Sequence, residues 1–186
     1  MNNRANDPQT NNYATIRQQH LLPAERHFLE PGYYMLPADS CTVVTVVASS
    51  VVVTLYDIKR KIGGVCHYIK PRPEGSEAAS GNHGLPTIAY LTKQLLKHAR
   101  PQDLRAGIYG GASPTWATPM HRRMAQANVD AARAYLAKMD IVVDEEMVGG
   151  TRGFKLVYNT GTNEILLLKT ERIRRADWFT HLQGGR

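Results

Sequence analysis

The stretch 45–67, TVVASSVVVTLYDIKRKIGGVCH, constrains this chain more than any other part of it. β-Branched residues on both sides of Ala48, Ser49 and Ser50 predict two buried strands, and the three small residues between them predict a tight corner. A side chain at the tip of such a corner sits at the end of a sheet, with backbone N–H groups turned toward whatever it attacks. Ser50 occupies that tip. Beyond the turn signal at Asp57 and the pair Gly63-Gly64, a returning strand carries Cys66 and His67, which makes His67 the expected base for a nucleophile at the corner. Strand alternation sends Cys66 to the opposite face, as a small buried hydrophobe.

The rest of the chain reads as one domain with two flanking segments. Residues 1–26, rich in Asn, Gln, Thr and Arg, lack apolar periodicity and are expected to form a disordered arm. Residues 27–170 form the domain, and residues 171–186, with Arg172, Arg174 and Arg175, form a basic tail. Pro31-Gly32 marks a turn before a short edge strand at Tyr33, Tyr34 and Met35. The long loop 70–84, directly after His67, is a candidate rim for a substrate groove. Pro86, Ile88, Leu91, Leu95 and His98 predict an amphipathic helix with Lys93 and Lys97 on its wet side.

A strand over 104–110 ends at Gly110-Gly111, where the backbone must pass close to something, and Trp116 follows as an expected core plug. A second helix over 120–139 places Met124, Ala127, Ala131 and Ala134 on one stripe. A strand over 141–144, a turn at Gly149-Gly150 and a hairpin, 154–158 with 164–169, complete the domain. This succession predicts an α+β or layered α/β domain with a mixed sheet.

Composition narrows the setting. With 186 residues, 42% of them hydrophobic, one substantial core is expected. A net charge of +7 favours anionic partners: acidic protein helices, nucleic acid or lipid headgroups. Cys41 and Cys66 are too few for a disulfide framework, and the first residues do not read as a signal peptide, so the protein is expected to be cytoplasmic. The longest apolar stretch, 43–56, falls short of the ~20 residues a membrane-spanning helix needs, so no membrane insertion is expected. Histidines are scattered and no phosphate-loop or metal-ligand spacing occurs, so neither metal nor cofactor is expected. The basic clusters 59–61, Arg122-Arg123 and Arg174-Arg175 lie far apart and read as solvated faces; no nucleic-acid partner is expected, and a basic nucleic-acid-binding domain is the more distant alternative.

The pattern Thr45-x-x-Ala48-Ser49-Ser50-Val51, Leu55-Tyr56-Asp57, Gly63-Gly64 and His67 resembles the signature of the CheD family of chemoreceptor glutamine deamidases. Further matches fall in order at Pro31-Gly32-Tyr33-Tyr34, Ile108-Tyr109-Gly110-Gly111-Ala112, Asn128, Gly149-Gly150-Thr151-Arg152-Gly153 and Thr160-Gly161, over roughly 28–169. The resemblance implies a CheD-like α/β sandwich, a mixed β-sheet packed against two main helices. It also implies cofactor-free hydrolysis of receptor glutamine side chains to glutamate, with the cytoplasmic helices of chemoreceptors as partners and a CheC-type phosphatase as a further one.

Carried onto this chain, Ser50 takes the nucleophile position, His67 the base, and Thr45 the orienting hydroxyl, with Thr42 as the fallback if the register differs. The family places cysteine where Ser50 stands, and Val47-Ala48 replaces its Leu-Gly. Serine needs stronger base assistance than a thiol, so activity is expected to be weakened or lost. A non-catalytic relative that docks receptors or a CheC-type partner, a serine-using variant and a deliberately replaced cysteine all stay open, and Ala48 favours natural divergence.

Overall fold

The computed structural model describes residues 25–169. The basic tail 171–186 lies outside the described residues, as does the expected arm except for its last two residues. In chain order the elements are β1 (Arg26–Phe28), β2 (Tyr33–Met35), β3 (Thr42–Val47), β4 (Val51–Asp57), β5 (Ile62–Tyr68), α1 (Gly84–Leu95), a 3-10 turn (Pro101–Asp103), β6 (Leu104–Gly110), α2 (Pro119–Lys138), β7 (Val142–Val148), β8 (Phe154–Asn159) and β9 (Ile165–Lys169).

The strands form two sheets, ordered β1-β3-β8-β9 and β2-β5-β4-β6-β7. Both are mixed, because β1 runs parallel to β3 and β7 parallel to β6 while the other neighbours are antiparallel. The expected mixed sheet with two helices is the five-stranded one, and the smaller sheet covers its other face. The chain crosses from one sheet to the other between β3 and β4, at residues 48–50. The corner is thus the seam of the sandwich.

Alternation along the central strands builds two cores. Val51, Val53 and Leu55 of β4, Cys66 and Tyr68 of β5, and Leu104, Ala106 and Ile108 of β6 meet Ile88, Leu91 and Leu95 of α1 and Val129, Ala132 and Leu136 of α2. Val52, Val65 and Tyr109 face the other way, onto Val43, Val47, Phe154, Leu156 and Tyr158 of the smaller sheet. With each fully buried Val or Leu contributing about 1.5–3 kcal/mol, a one-residue slip of β4 would cost far more than any loop could offset.

Three details differ from the sequence expectations. α1 ends at Leu95, and His98 is exposed beyond it. The buried stripe of α2 is Ala125, Val129, Ala132 and Leu136, one residue on from the predicted one, because that register buries the larger apolar area; Ala134 is exposed. Trp116 is not a core plug: it is 80% exposed. The space behind its loop is already full, with Ala112 and Ala117 buried and Val129 Cγ2 only 2.4 Å from where a Cβ on Gly111 would lie.

Candidate active site

Ser50 stands half-buried at the corner beside exposed Ser49, while His67 lies fully buried beneath it on β5. His67 and Val65 take the face of β5 opposite Cys66, so the imidazole points at the smaller sheet and meets Thr45 of β3. The Ser50 Oγ is 2.7 Å from His67 Nε2, and Thr45 Oγ1 is 2.9 Å from His67 Nδ1. Thr42, the fallback, sits opposite Asn159 in the ladder with β8, three residues from Thr45 along β3.

The hydrogen-bond pattern sets the tautomer. Thr45 donates its single hydroxyl proton to the Leu29 carbonyl at 2.7 Å, so it can only accept from His67, and Nδ1 must carry the ring proton. Nε2 is then a bare lone pair facing the Ser50 hydroxyl, the arrangement a general base needs. Leu29, which the sequence reading missed, completes the relay. It is held by its own N–H donating to the Val44 carbonyl at 2.9 Å. A backbone carbonyl leaves no residue-type signal in a sequence.

Burial lowers the His67 pKa to about 4, which keeps the ring neutral near neutral pH. In the unfolded chain a histidine titrates near its ordinary ~6.5, so as pH falls from ~6.5 toward ~4 the unfolded chain takes up a proton that the folded one refuses. Stability is present above that window and is lost on descending through it, by about 3 kcal/mol for a gap of this size. Urea unfolding midpoints should fall across this range in the parent protein and change less in His67→Gln. Parallel profiles would contradict the assignment. On the other face of β5, burial pushes the Cys66 thiol up to about 12, the state of an inert core cysteine.

The corner is pinned from two sides. Gly111 N–H donates to the Ser50 carbonyl at 2.9 Å and Ala112 N–H to the Ala48 carbonyl at 2.8 Å. The close approach expected at Gly110-Gly111 is therefore to the nucleophile corner itself. Gly149 N–H donates to the Gly110 carbonyl at 2.8 Å, tying in the second glycine pair.

From α2, Asn128 Nδ2 donates to the Ile69 carbonyl at 2.9 Å and makes a long contact of 3.5 Å with that of Ser49, while Tyr68 donates its hydroxyl to the Asn128 carbonyl at 2.7 Å. One buried asparagine thus joins the corner to the strand that carries His67. Its signal in the sequence is a poor helix former in mid-helix. Asn128→Ala is expected to destabilise by about 1–3 kcal/mol, and Asn128→Asp by more, since a buried carboxylate would then face two carbonyl oxygens. Chemical denaturation that ranks the two variants the other way would refute this.

The loop 70–84 leaves β5 directly after the site and is stapled internally. Ser80 N–H donates to His83 Nδ1 at 3.1 Å, leaving His83 Nε2 to face Glu77 at 3.1 Å, while Lys70 Nζ reaches Glu77 at 3.0 Å. Among the described residues no group of three or more His, Cys, Asp or Glu could hold a metal ion. Among them, too, no helix is long and apolar enough to cross a membrane.

Comparison with known proteins bears on this geometry. The family model described as CheD chemotactic sensory transduction matches residues 70–169, beginning just past His67. A probable chemoreceptor glutamine deamidase CheD of Trichlorobacter lovleyi is 31% identical over 153 residues, covering 82% of this chain and 95% of its own; a stretch that long necessarily includes Thr45, Ser50 and His67. A probable chemoreceptor glutamine deamidase CheD 2 of Geobacter sulfurreducens is 30% identical over 146 residues, with 78% and 90% covered. A relative of the same description from Methanococcus vannielii is 29% identical over 135 residues, with 72% and 88% covered. With more than half of its length under the family model and relatives matched nearly end to end, this chain belongs to the CheD family of chemotaxis proteins.

Proposed function

We propose that this protein acts on the glutamine side chains of chemoreceptor cytoplasmic helices, with Ser50 as nucleophile, His67 as general base and Thr45 as the group that orients the base. The observation that carries the reading is the relay from Leu29 through Thr45 and His67 to Ser50, with contacts of 2.7, 2.9 and 2.7 Å. In the forward step His67 Nε2 takes the Ser50 proton as Oγ bonds to the carboxamide carbon. The C–N bond then breaks, and ammonia leaves with the proton His67 returns. Water, deprotonated by the same ring, hydrolyses the ester to glutamate and frees Ser50. No metal or redox partner enters the balance.

Serine makes this a slow site. A hydroxyl ionises far less readily than a thiol, and an imidazole with a pKa near 4 is a weak base for it. That same observation favours a second reading, a docking module that binds receptor helices or a CheC-type phosphatase with little turnover. Both readings place the protein in the cytoplasm, with residues 27–170 as the working domain.

Incubation with a receptor fragment, followed by mass spectrometry of its glutamine-bearing peptides, separates them. Amide-to-acid conversion that His67→Gln abolishes supports the enzyme. Conversion by the Ser50→Cys form alone supports the docking module, and silence from both forms rejects deamidation altogether.

A further inference from the structure

Trp116 is the most exposed large apolar side chain among the described residues, at 80%, with Met120 close behind in sequence at 63%. Exposure alone is common, and Tyr34 and Tyr90, also exposed, pack against each other in a tilted pair with ring centroids 4.9 Å apart. Trp116 differs in being carried on a loop that is tied down along its whole length. Ser113 N–H donates to the Gly150 carbonyl at 2.9 Å and Ala117 N–H to the Pro114 carbonyl at 2.9 Å. Arg122 reaches back from α2 to the Ala117 carbonyl at 3.1 Å and the Thr115 carbonyl at 3.0 Å. A loop held this way loses little backbone freedom when a partner covers its indole, which is part of the physical basis of an aromatic anchor.

A second, independent feature lies beside it. The first turn of α2 contains no acidic residue and carries His121 and Arg122, with Arg123 directly after it, all exposed. Cations at a helix amino terminus oppose the macrodipole, so this placement works against the helix and concentrates positive potential at one spot. The spot is tethered to the nucleophile corner by a short stretch of chain. Gly111 is bonded to the Ser50 carbonyl and Trp116 is five residues further on, at most about 18 Å from Gly111 at up to ~3.6 Å per residue. A helix of about 12 residues covers that distance at ~1.5 Å per residue.

We propose that the Trp116 loop and the start of α2 are the docking surface for the helix that presents a glutamine to Ser50, and that the helix is chosen for an apolar residue and carboxylates lying within about three turns of that glutamine. This rests on the functional reading above, and adds to it a specificity determinant outside the relay. A protein helix is favoured over a nucleic acid because the adjoining groups are arranged to attack an amide. Single-stranded DNA, which also stacks on aromatics and pairs with arginine, serves as the competing ligand.

The test titrates a fluorescein-labelled helical fragment of a chemoreceptor cytoplasmic domain with the full chain and follows anisotropy. Trp116→Ala and Arg123→Glu are each expected to weaken binding about tenfold or more, while Tyr90→Ala leaves it unchanged. All three positions are exposed, so each variant should stay folded, with Arg123→Glu no less stable than the parent. In the Ser50→Cys background, Trp116→Ala should raise KM about tenfold at unchanged kcat, and the iodoacetamide reaction rate of the introduced thiol should not move. Equal affinity for Trp116→Ala and parent, no saturable binding, or displacement of the fragment by single-stranded DNA overturns the proposal. Binding that depends on Trp116 without deamidation by the Ser50→Cys form supports the docking surface and removes the hydrolytic reading alone.

Discussion

Ser50→Cys is expected to deamidate a receptor fragment at least about 100-fold faster than the parent chain, equivalent to about 2.7 kcal/mol of activation free energy. The substitution changes one atom at a position whose partner is already in place, 2.7 Å away. A thiol with an ordinary pKa of ~8.5 is a few per cent ionised near pH 7, whereas the serine hydroxyl must be deprotonated in the transition state. The gain is compounded by the imidazole. Burial holds His67 low because it outweighs the nearby Leu29 carbonyl, the group that favours the charged ring, and a thiolate in contact with the ring would favour that form far more, pulling the pair toward thiolate–imidazolium. Initial rates at fixed fragment concentration, measured on both forms over pH 6–8, decide the matter. Equal rates would mean that the corner activates a hydroxyl as well as a thiol, and that something beyond His67 is the base.

Gly110→Ala is expected to cost at least about 3 kcal/mol of stability and to abolish the activity of the Ser50→Cys form. Gly110 has φ +117°, a conformation that side-chain-bearing residues rarely adopt, and an added Cβ would lie 2.2 Å from the Ser50 carbonyl oxygen and 2.6 Å from Val47 Cγ1. The first of these is backbone and cannot rotate aside, so the corner itself must shift. Gly149→Ala is the natural comparison: its φ is +76°, yet a Cβ there would meet nothing within 4 Å. It should lose only the left-handed backbone penalty, about 1–2 kcal/mol. Thermal or urea unfolding of the two variants therefore separates steric collision from conformational strain, and similar losses in both would contradict the close approach at Gly110.

Much of the fold could be read locally. The β-branched runs around Ala48, Ser49 and Ser50, the strand ending at Gly110-Gly111 and the hairpin around residues 159–163 are patterns within a few neighbouring residues, and secondary structure answers to such patterns. The candidate site was legible for the same reason. A small-residue corner and a histidine one strand away define a meeting point as soon as β4 and β5 pair, and the alternation that turns Cys66 from His67 needs no tertiary information.

Packing between distant segments decided the rest. That β3 and β4 part into different sheets at the corner depends on β8 pairing with β3, more than a hundred residues along the chain. That Thr45 rather than Thr42 meets the imidazole, and that its proton is committed elsewhere, depends on the Leu29 carbonyl. The stripe that α2 buries and the expulsion of Trp116 into solvent follow from how much volume the sheet leaves unfilled, to which every other side chain contributes. Local pattern determined which strands and helices this chain forms and which residues stand at their ends. Only close packing of elements remote in sequence determined which proton faces which lone pair, because that depends on fractions of an ångström between groups the chain order does not relate.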